Sequence, residues 1–429
     1  MTSHTDVDLG HGVGTDALPL IHAVPPDHGV HPAGVSVLDP HLLANETRLC
    51  LEESTPHRLL DGEPLGPFVL GDFEGQPLDH HESELYASIV ARDYSLTGPE
   101  RQRAIDRGLA GAEWYRSPVE RTELLSLMQR RNTPAARDTV VWILLLVMSG
   151  WWLVATWLSW WTLPAAFVYG TLYGSASDAR WHECGHRTAF RTKWANDVVY
   201  HVASFMDVRE PVSWRWSHHR HHADTIVVGR DPEIAYQRPV RFWKIVADAF
   251  GILSTFAEFR KYAANVRGRL TPDEADYVPP READRAIFWG RVHATVWLVV
   301  VVSAIVSRSA LPLMLVGLPS LYGRWLLVVF GTTQHAGLAE DVLDHRLNTR
   351  TVYMNPLLRF LYLNMNYHLE HHMFPSVPYH NLPRLHSLVA DDLPAPYRGL
   401  LHAYRDIVPA LWRQRTDTDF DIRPTTTGR

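Results

Sequence analysis

Cysteine is almost absent from this chain: 429 residues contain only Cys50 and Cys184. Two thiols cannot supply the four cysteines of a cysteine-bound iron–sulfur cluster, and they cannot build a disulfide framework. The composition therefore indicates a reducing compartment. Cys184 lies between His182 and His186, but its side chain is expected to point away from the helix face that these histidines share, so a packing role is predicted for it.

Two further absences narrow the class of protein. The formal net charge of −6 provides no overall positive field, so no nucleic-acid partner is predicted. The chain also has no glycine-rich dinucleotide fingerprint placed after a strand-like segment, which excludes a fused nicotinamide or flavin domain of that kind. Its first residues are polar and acidic, and they do not form the pattern of a cleavable signal peptide.

Histidine, by contrast, is abundant and regularly spaced, with 25 copies in the chain. Residues three and four apart share a face of an α-helix, so each HxxxH or HxxHH cluster can direct its imidazoles at one point. Neutral imidazole is a common ligand of iron, zinc and copper, and eight or nine imidazoles are too many for one ion. Two metal ions are therefore predicted. The clustered ligands are His182, His186, His218, His221, His222, His368, His371 and His372.

Two long apolar stretches, residues 139–174 and 286–331, indicate where these clusters lie. Each stretch is long enough for two helical membrane crossings of about 20 residues, with breaks expected near Pro164 and around Ser307–Ser309. Tryptophans near the segment ends favour a membrane over the alternative, which is a pair of buried helical hairpins in a soluble protein. We therefore predict an all-α membrane protein in which four transmembrane helices carry a cytosolic helical cap that holds the metals.

Flanking charges predict the orientation. Positive residues precede crossing one and follow crossing two, whereas the two opposite loops contain only Arg308. The positive-inside rule then places the histidine clusters and both termini on the cytosolic side of the cytoplasmic membrane. The flanking positive residues are Arg130, Arg131, Arg137, Arg180, Arg187, Arg191 and Lys193.

The remaining sequence divides into four parts. Residues 1–40 are rich in Gly, Pro, His and Asp, and they are predicted to be a disordered tail. Residues 41–135 are predicted to form a cytosolic N-terminal region, residues 136–390 the membrane catalytic domain, and residues 391–429 a cytosolic C-terminal segment. Two amphipathic segments, 195–206 and 242–262, are expected to lie at the membrane interface without crossing it.

Several basic residues could serve more than one role. Arg324 lies inside crossing four, about three turns before His335, and it could pair with a substrate carboxylate or phosphate, snorkel to the interface or pair within the bundle. A basic set surrounds the second cluster, where it could face lipid headgroups or dock an anionic carrier or an acidic ferredoxin. The set consists of Arg215, Arg220, Arg230, Arg238, Arg241 and Lys244.

Residues 115–386 resemble the membrane-bound fatty acid desaturase superfamily, which also contains alkane monooxygenases and related hydroxylases. The resemblance is carried by the three histidine boxes, by Trp214–Ser217 before the second box, by Gly229–Glu233 after it, and by Asn366–Pro375 around the third. Within the superfamily, HECGH, WRWSHxRHH, GRDPEI and TQHAGLAED are most similar to a bacterial branch of hydrocarbon oxygenases. One member of that branch is tied to rhizopine breakdown.

The resemblance implies a di-iron centre held by nine histidines, with His335 of Gln-His-Ala-Gly as the ninth ligand. It also implies that Asp231 and Asn366 orient ligand imidazoles from outside, although Asp231 could equally cap a helix ahead of Pro232. The chain departs from several relatives at Gly331, where they carry an asparagine that helps to hold a water near one iron. Such a water would need another partner here, for which Thr332 and Thr333 are candidates.

The expected activity is O₂-dependent insertion of a double bond or a hydroxyl group at an unactivated C–H bond of an alkyl or acyl chain. A second hypothesis keeps the centre but makes it a hydroxylase or O-demethylase of a small polar metabolite. A third hypothesis is a His-rich membrane metal-binding protein without catalysis. Because no electron donor is fused to the chain, either enzyme would require a separate ferredoxin and ferredoxin reductase.

Overall fold

The computed structural model describes residues 92–424, so the predicted disorder of residues 1–40 and the part of the N-terminal region before Arg92 lie outside the described residues. The described part is helical and contains no strand. Two isolated bridges, Thr351 with Tyr367 and Val352 with Tyr397, are its β-type pairings. The all-α prediction is therefore confirmed for residues 92–424.

The α-helices within residues 92–424 are numbered here in chain order. They are α1 (Pro99–Asp106), α2 (Arg121–Leu127), α3 (Asn132–Ala155), α4 (Thr162–Gly174), α5 (Ala176–Gly185), α6 (Lys193–Met206), α7 (Pro211–Ala223), α8 (Phe242–Ala249), α9 (Ile252–Val266), α10 (Pro272–Tyr277), α11 (Pro280–Ser307), α12 (Leu311–Leu315), α13 (Pro319–Tyr322), α14 (Trp325–His335), α15 (His345–Asn348), α16 (Pro356–Leu361), α17 (His368–Met373), α18 (Leu382–Val389) and α19 (Leu400–Arg413). Two 3₁₀ turns, Tyr379–Asn381 and Ala390–Asp392, flank α18.

Two helical segments are long and apolar enough to cross a membrane: residues 121–155, which contain α3, and α11. Their most apolar windows have mean hydropathies of 1.8 and 1.7, and only 22% of each window is buried inside the protein. Valine, methionine and tryptophan side chains on α3, such as Met148 (65% exposed) and Trp151 (72% exposed), face outward. An apolar helix with an outward apolar surface is suited to a lipid environment rather than to water.

The other two expected crossings are divided into shorter helices. The second consists of α4 and α5 with a break at Ser175, and the fourth consists of α12, α13 and α14 with breaks near Gly317 and Gly323. The breaks meet, because the Ser175 hydroxyl donates to the carbonyl of Gly323 at 2.5 Å and accepts from the amide of Leu327 at 2.9 Å. Side-chain and backbone partners thereby replace helical hydrogen bonds that the breaks remove.

The predicted positions of the breaks are partly correct. Helix α11 ends at Ser307, and Arg308 follows in the left-handed region with φ of 49°, as the Ser307–Ser309 prediction required. The first hairpin differs, because α3 ends at Ala155 and Pro164 lies in the first turn of α4. Proline is tolerated at a helix start, where its missing N–H has no helical partner to lose.

The histidine-bearing helices sit against this bundle. One buried cluster joins Trp142 of α3, Trp181 of α5 and Leu369 of α17. Helix α19 contributes Ile407 to a second buried cluster beside Ala336, just after α14. Helices α8 and α9 cover residues 242–262, one of the two segments expected at the membrane interface. This segment exposes large apolar side chains. These include Trp243, Val246, Phe250, Ile252 and Phe256.

Candidate metal centre

The nine predicted histidine ligands meet in two adjacent groups. In each group, one ligand atom from every histidine lies within 4.8 Å of the others. The first group contains His182, His186, His218, His222 and His371. The second group contains His221, His335, His368 and His372. The structure therefore brings all nine together, and it separates them into two sets as a two-metal centre requires.

Helical periodicity explains the partition. His182 and His186 are four residues apart, at the end of α5 and directly after it, so both face the first group. Consecutive residues of a helix diverge by about 100° around its axis. Helix α7 therefore directs His221 to the second group and its neighbour His222 to the first. Helix α17 divides its ligands in the same way, and the last residue of α14 supplies His335.

The ring nitrogens face one another at distances that suit a shared ion. Nε2 of His186 lies 3.0 Å from Nε2 of His218, and Nε2 of His368 lies 3.1 Å from Nε2 of His372. Ligands bound about 2.1 Å from an ion, at roughly right angles, are separated by about 3 Å. Two neutral imidazoles that each direct a lone pair inward can share a cation, whereas they cannot hydrogen-bond to each other. The spacing therefore fits metal coordination.

Burial favours the neutral form of most of these imidazoles. It lowers the pKa of His186, His222 and His371 well below the ordinary value of 6.5, and the neighbouring imidazoles lower the pKa further. A neutral imidazole has a free nitrogen lone pair, which is the form that binds a metal. These side chains are therefore prepared as ligands rather than as cations. At His221, burial lowers the pKa but the Asp231 carboxylate raises it by more, so the pKa of His221 lies above its ordinary value.

Four of the nine histidines have a partner on the ring nitrogen that faces away from the centre of their group. Nδ1 of His221 donates to Asp231 at 2.8 Å, and Nδ1 of His218 donates to Glu233 at 3.0 Å. Nδ1 of His335 donates to the carbonyl of Asn348 at 2.8 Å. These bonds place the proton on Nδ1, so the lone pair of Nε2 points inward.

Thr225 orients the fourth ligand. Its hydroxyl donates to the carbonyl of His221 at 2.7 Å, so its oxygen is left to accept from Nδ1 of His372, 3.2 Å away. Other ligand nitrogens are buried without a hydrogen-bond partner within residues 92–424: both ring nitrogens of His182, and Nδ1 of His222, His368 and His371. Each such nitrogen costs about 1–3 kcal/mol if it stays unpaired. Metal binding would relieve that cost at one nitrogen of His182.

Asp231 bonds to a ligand and to its own loop. It does not cap a helix, because no helix begins at Pro232. One carboxylate oxygen accepts from His221 and from the backbone amide of Ile226 at 2.8 Å, and the other accepts from the amide of Glu233 at 2.8 Å. The carboxylate therefore fixes the loop after α7 and the ligand together.

Asn366 and Arg324, unlike Asp231, make no hydrogen bond to a ligand histidine within residues 92–424. The side-chain amide of Asn366 donates to the carbonyl of Val352 at 2.8 Å, while its buried Oδ1 has no hydrogen-bond partner among residues 92–424. Arg324 is 7% exposed and occupies the N-cap position of α14, eleven residues and about 16 Å along the helix from His335 at 1.5 Å per residue. The orienting role of Asn366 and the substrate-binding role of Arg324 remain predictions.

Sequence reasoning overlooked several supporting residues. Glu233 lies two positions after Asp231, inside a motif already used for the resemblance, and that proximity was the available signal. Glu370 lies between ligands of the third box, is fully buried, accepts from the Thr351 hydroxyl at 2.6 Å and contacts Nδ1 of His386. The other nitrogen of His386 lies 2.8 Å from the hydroxyl of Tyr353. This network anchors α17 from the side opposite the two histidine groups.

Comparison with known proteins agrees with this geometry. The family model for fatty acid desaturases matches residues 155–404, which is more than half of the chain. An acyl-lipid (9+3)-(E)-desaturase of Dimorphotheca sinuata is 24% identical over 62% of this chain and 73% of its own length. An endoplasmic-reticulum omega-6 fatty acid desaturase of Glycine max is 26% identical over 58% of this chain and 70% of its own length.

A third relative has two activities in its name. The sphingolipid delta(4)-desaturase/C4-monooxygenase DES2 of Rattus norvegicus is 25% identical over 66% of this chain and 81% of its own length. Together with the family match and the two histidine groups, these relatives identify the chain as an oxidoreductase that belongs to the fatty acid desaturase family.

Proposed function

We propose that this protein is a membrane-bound, O₂-dependent di-iron enzyme that desaturates or hydroxylates an unactivated C–H bond of an alkyl or acyl chain. The observation that carries the proposal is the meeting of nine buried or half-buried imidazoles in two adjacent groups. All-nitrogen ligands suit iron, and two ions can share one substrate-facing space. His182, His186, His218, His222 and His371 would hold one ion, and His221, His335, His368 and His372 the other.

Two irons held in this way would supply the activation of O₂ needed to remove hydrogen from an unactivated carbon. The protein positions the ligand imidazoles, fixes their protonation state and excludes water from the site. Asp231 and Glu233 hold the protons of His221 and His218 on the outer ring nitrogens. Burial of the ligand helices excludes water, which protects a reactive centre from side reactions. Asn366, through its unpaired Oδ1, would orient a further ligand of the third box.

The metal ligands alone do not decide whether the product is an alkene or an alcohol. Loss of a second hydrogen gives an alkene, whereas return of a hydroxyl group gives an alcohol. The rat relative combines a desaturase and a monooxygenase in its name, which supports one centre serving both outcomes. The choice would then depend on how the substrate carbon is held.

We place the enzyme in the cytoplasmic membrane, with four crossings and with the metal face and both termini in the cytosol. Segment 121–155 and α11 would form crossings one and three, and the broken segments α4–α5 and α12–α14 would form crossings two and four. Irregular backbone at membrane depth is tolerated where other protein groups satisfy it, as Ser175 does here. Residues 136–390 would form the catalytic domain, between a cytosolic region at 41–135 and a cytosolic segment at 391–429.

We propose a separate ferredoxin and its reductase as electron donors. Within residues 92–424 the single cysteine, Cys184, is buried, so this part of the chain offers no cysteine-bound redox cluster of its own. Parts of the basic set already have acidic partners: Arg230 pairs with Asp224 at 2.9 Å, and Arg238 pairs with Glu340 at 3.3 Å. Arg241 and Lys244 lie just before and at the start of α8, and they are the better candidates for contact with lipid headgroups or an acidic donor.

A second candidate is a hydroxylase or O-demethylase of a small polar metabolite, in the manner of rhizopine breakdown. The observation that favours it is a cavity beside the first histidine group that is lined by charged residues as well as aromatic ones. Arg324 would contribute to substrate binding in either case, by pairing with an anionic group of the substrate.

The test is to co-express the chain with a ferredoxin and a reductase and to analyse cellular lipids and polar metabolites by mass spectrometry. The control is His371→Ala, which should lose iron and activity while still inserting into the membrane. A new unsaturated or hydroxylated acyl species, absent from the control, is expected. An unchanged lipid profile with a new oxidised polar metabolite would transfer the assignment to the second candidate. Iron-loaded protein that consumes no O₂ with either pool would overturn both and leave a metal-binding protein.

A further inference from the structure

A stack of two aromatic rings leads from the surface of the protein to the second histidine group. The rings of Trp114 and His345 lie almost parallel, at an angle of 8° and with their centroids 4.2 Å apart. The His345 ring in turn lies 5.1 Å from the ring of His372, a member of the second group. Trp114 is half-buried, whereas His345 is 2% exposed and His372 4%. The stack therefore begins at solvent and ends at a proposed metal ligand.

Hydrogen bonds fix both members of the stack to the elements that carry ligands. The indole N–H of Trp114 donates to the carbonyl of Ala223, the last residue of α7, at 3.0 Å. His345 begins α15, and Asn348 at the end of that helix accepts from Nδ1 of His335 through its carbonyl at 2.8 Å. The two rings are thus held in a defined position relative to the second group.

Space filling alone does not account for a histidine at position 345. Its Nδ1 is buried and has no hydrogen-bond partner within residues 92–424. An unpaired buried nitrogen costs about 1–3 kcal/mol, which an apolar side chain would avoid. His345 is also not a member of either histidine group, although its ring adjoins His372. These observations favour a role for the ring as a contact between Trp114 and the ligand.

Transfer of electrons from outside requires a contact of this kind. The proposed oxidation consumes electrons from a separate donor protein, and the ligand histidines lie beneath the surface of this chain. Electronic coupling between two groups falls steeply with the gap between them, and it is strongest between π systems that lie parallel and in contact. Trp114 and His345 meet both conditions, and Trp114 is the member that solvent reaches.

A second row of rings leads to the first histidine group, but its rings meet edge to face. Trp214 lies 5.8 Å from Trp181 at 84°, and Trp181 lies 5.3 Å from His218 at 62°. Both separations exceed the 4.2 Å between Trp114 and His345, and neither pair of rings is parallel. Overlap of π systems therefore favours the stack at Trp114 as the route.

We propose that Trp114 and His345 carry electrons from the external donor to the ion held by the second histidine group. This inference rests on the proposed function and deepens it by locating where electrons enter the chain. In each transfer the donor protein loses one electron, and the ion gains it and passes from the ferric to the ferrous state. The two rings act as a bridge, so no bond in either ring forms or breaks.

The test is photoreduction, by one electron at a time, of the full-length, iron-loaded protein in detergent under nitrogen. A ruthenium tris-bipyridine label is attached at Glu113→Cys, an exposed position beside Trp114, in a chain that also carries Cys50→Ser. Cys184 is buried and stays unlabelled. A laser flash, with ascorbate as the sacrificial reductant, supplies the electron, and the loss of ferric absorbance gives the rate. This readout requires neither O₂ nor substrate.

Trp114→Leu is expected to slow electron transfer from this label at least tenfold, because it removes the ring that stacks on His345. Trp114→Phe keeps a ring and should recover part of the rate. Trp214→Leu is the matched control, since it removes a half-buried tryptophan from the second row, and its rate should stay within a factor of two. An unchanged rate in Trp114→Leu, or a larger loss in Trp214→Leu, would overturn the proposal.

A second label position separates a route effect from a general one. With the label at Arg191→Cys, an exposed site five residues after His186, Trp114→Leu should leave the rate unaltered. Equal slowing from both labels would reveal damage to the metal centre and contradict the proposal. If Trp114→Leu does not fold, His345→Leu interrupts the same route from its buried end and carries the same expectation. Iron content is measured in every variant before the flash experiment.

The route and the proposed function fail in different ways. A chain that takes up electrons through Trp114 but oxidises neither lipids nor polar metabolites would overturn the proposed function and leave the route. An active oxygenase whose metal is reduced equally fast in Trp114→Leu would overturn the route and leave the function.

Discussion

The carboxylate of Asp231 accepts hydrogen bonds from Nδ1 of His221 and from the backbone amide of Ile226, both at 2.8 Å. One side chain therefore fixes the tautomer of a ligand and the loop that follows α7. Carboxylates in this position raise the basicity of the ligand and hold its ring in the orientation that a metal needs. The pairing links a local loop to the proposed metal centre.

Asp231→Asn is expected to weaken metal binding by about 10- to 100-fold, because an amide has one acceptor oxygen for three N–H groups that two carboxylate oxygens now serve. Iron retained against increasing chelator, measured by mass spectrometry of the metal, gives the magnitude. Asp273→Asn is a suitable control, since Asp273 is exposed near the start of α10. Equal iron retention by all three proteins would show that Asp231 acts only on the loop.

The two histidine groups predict two ions in each chain. His335→Ala removes a ligand from the second group alone, so the variant is expected to retain about one ion where the unaltered chain holds two. Iron per chain, determined by metal analysis against protein concentration, measures this. A variant that still holds two ions would contradict the assignment of His335.

Alanine substitution at two glycines of the fourth crossing segment is expected to change the stability of the protein in opposite directions. Nothing lies within 4 Å of a Cβ placed at Gly331, so Gly331→Ala should stabilise α14 by about 0.5–1 kcal/mol. A Cβ at Gly323 would lie 1.8 Å from the carbonyl oxygen of Gly170, so Gly323→Ala should destabilise the protein by about 1–3 kcal/mol or more. Thermal unfolding in detergent compares the two. Shifts of the same sign would contradict the close approach of α4 to the α13–α14 junction.

The outward apolar surface of α3 predicts a cost for charge at its centre. Met148→Arg is expected to lower membrane insertion of this segment by about 2.5–3.5 kcal/mol, because arginine is costly in the middle of a crossing helix. Gln129→Arg serves as the comparison, since Gln129 is exposed and precedes α3. Insertion can be scored by protease protection in membrane vesicles. Equal protection of both variants would argue that α3 does not cross the bilayer.

Arg324→Leu is expected to raise KM for an anionic substrate while iron content stays unchanged, because Arg324 is buried far from the ligands along α14. Steady-state kinetics with the substrate found by the metabolite screen would measure the effect. Unchanged kinetics would assign Arg324 to the packing of the bundle.

Local periodicity predicted eight of the nine grouped histidines, because HxxxH and HxxHH spacings bring ligands together on a single helix, whereas His335 was identified through the family resemblance. The break at Ser175 was not predictable in this way, since hydropathy averages over a window and does not register a hydroxyl that bonds to Gly323. The contact of Glu233 with His218 was equally hidden, because it depends on how the loop between α7 and α8 returns. Short-range patterns thus anticipate ligands, whereas their supporting partners come from tertiary contacts.

Helices α7 and α17 each send ligands to both histidine groups. Fixing either helix for one ion therefore also organises part of the site for its neighbour. The first ion to arrive bears most of the ordering entropy, and the second binds to helices that are already held. Loading is consequently expected to be cooperative, and a chain that has lost one site should release its remaining ion more readily.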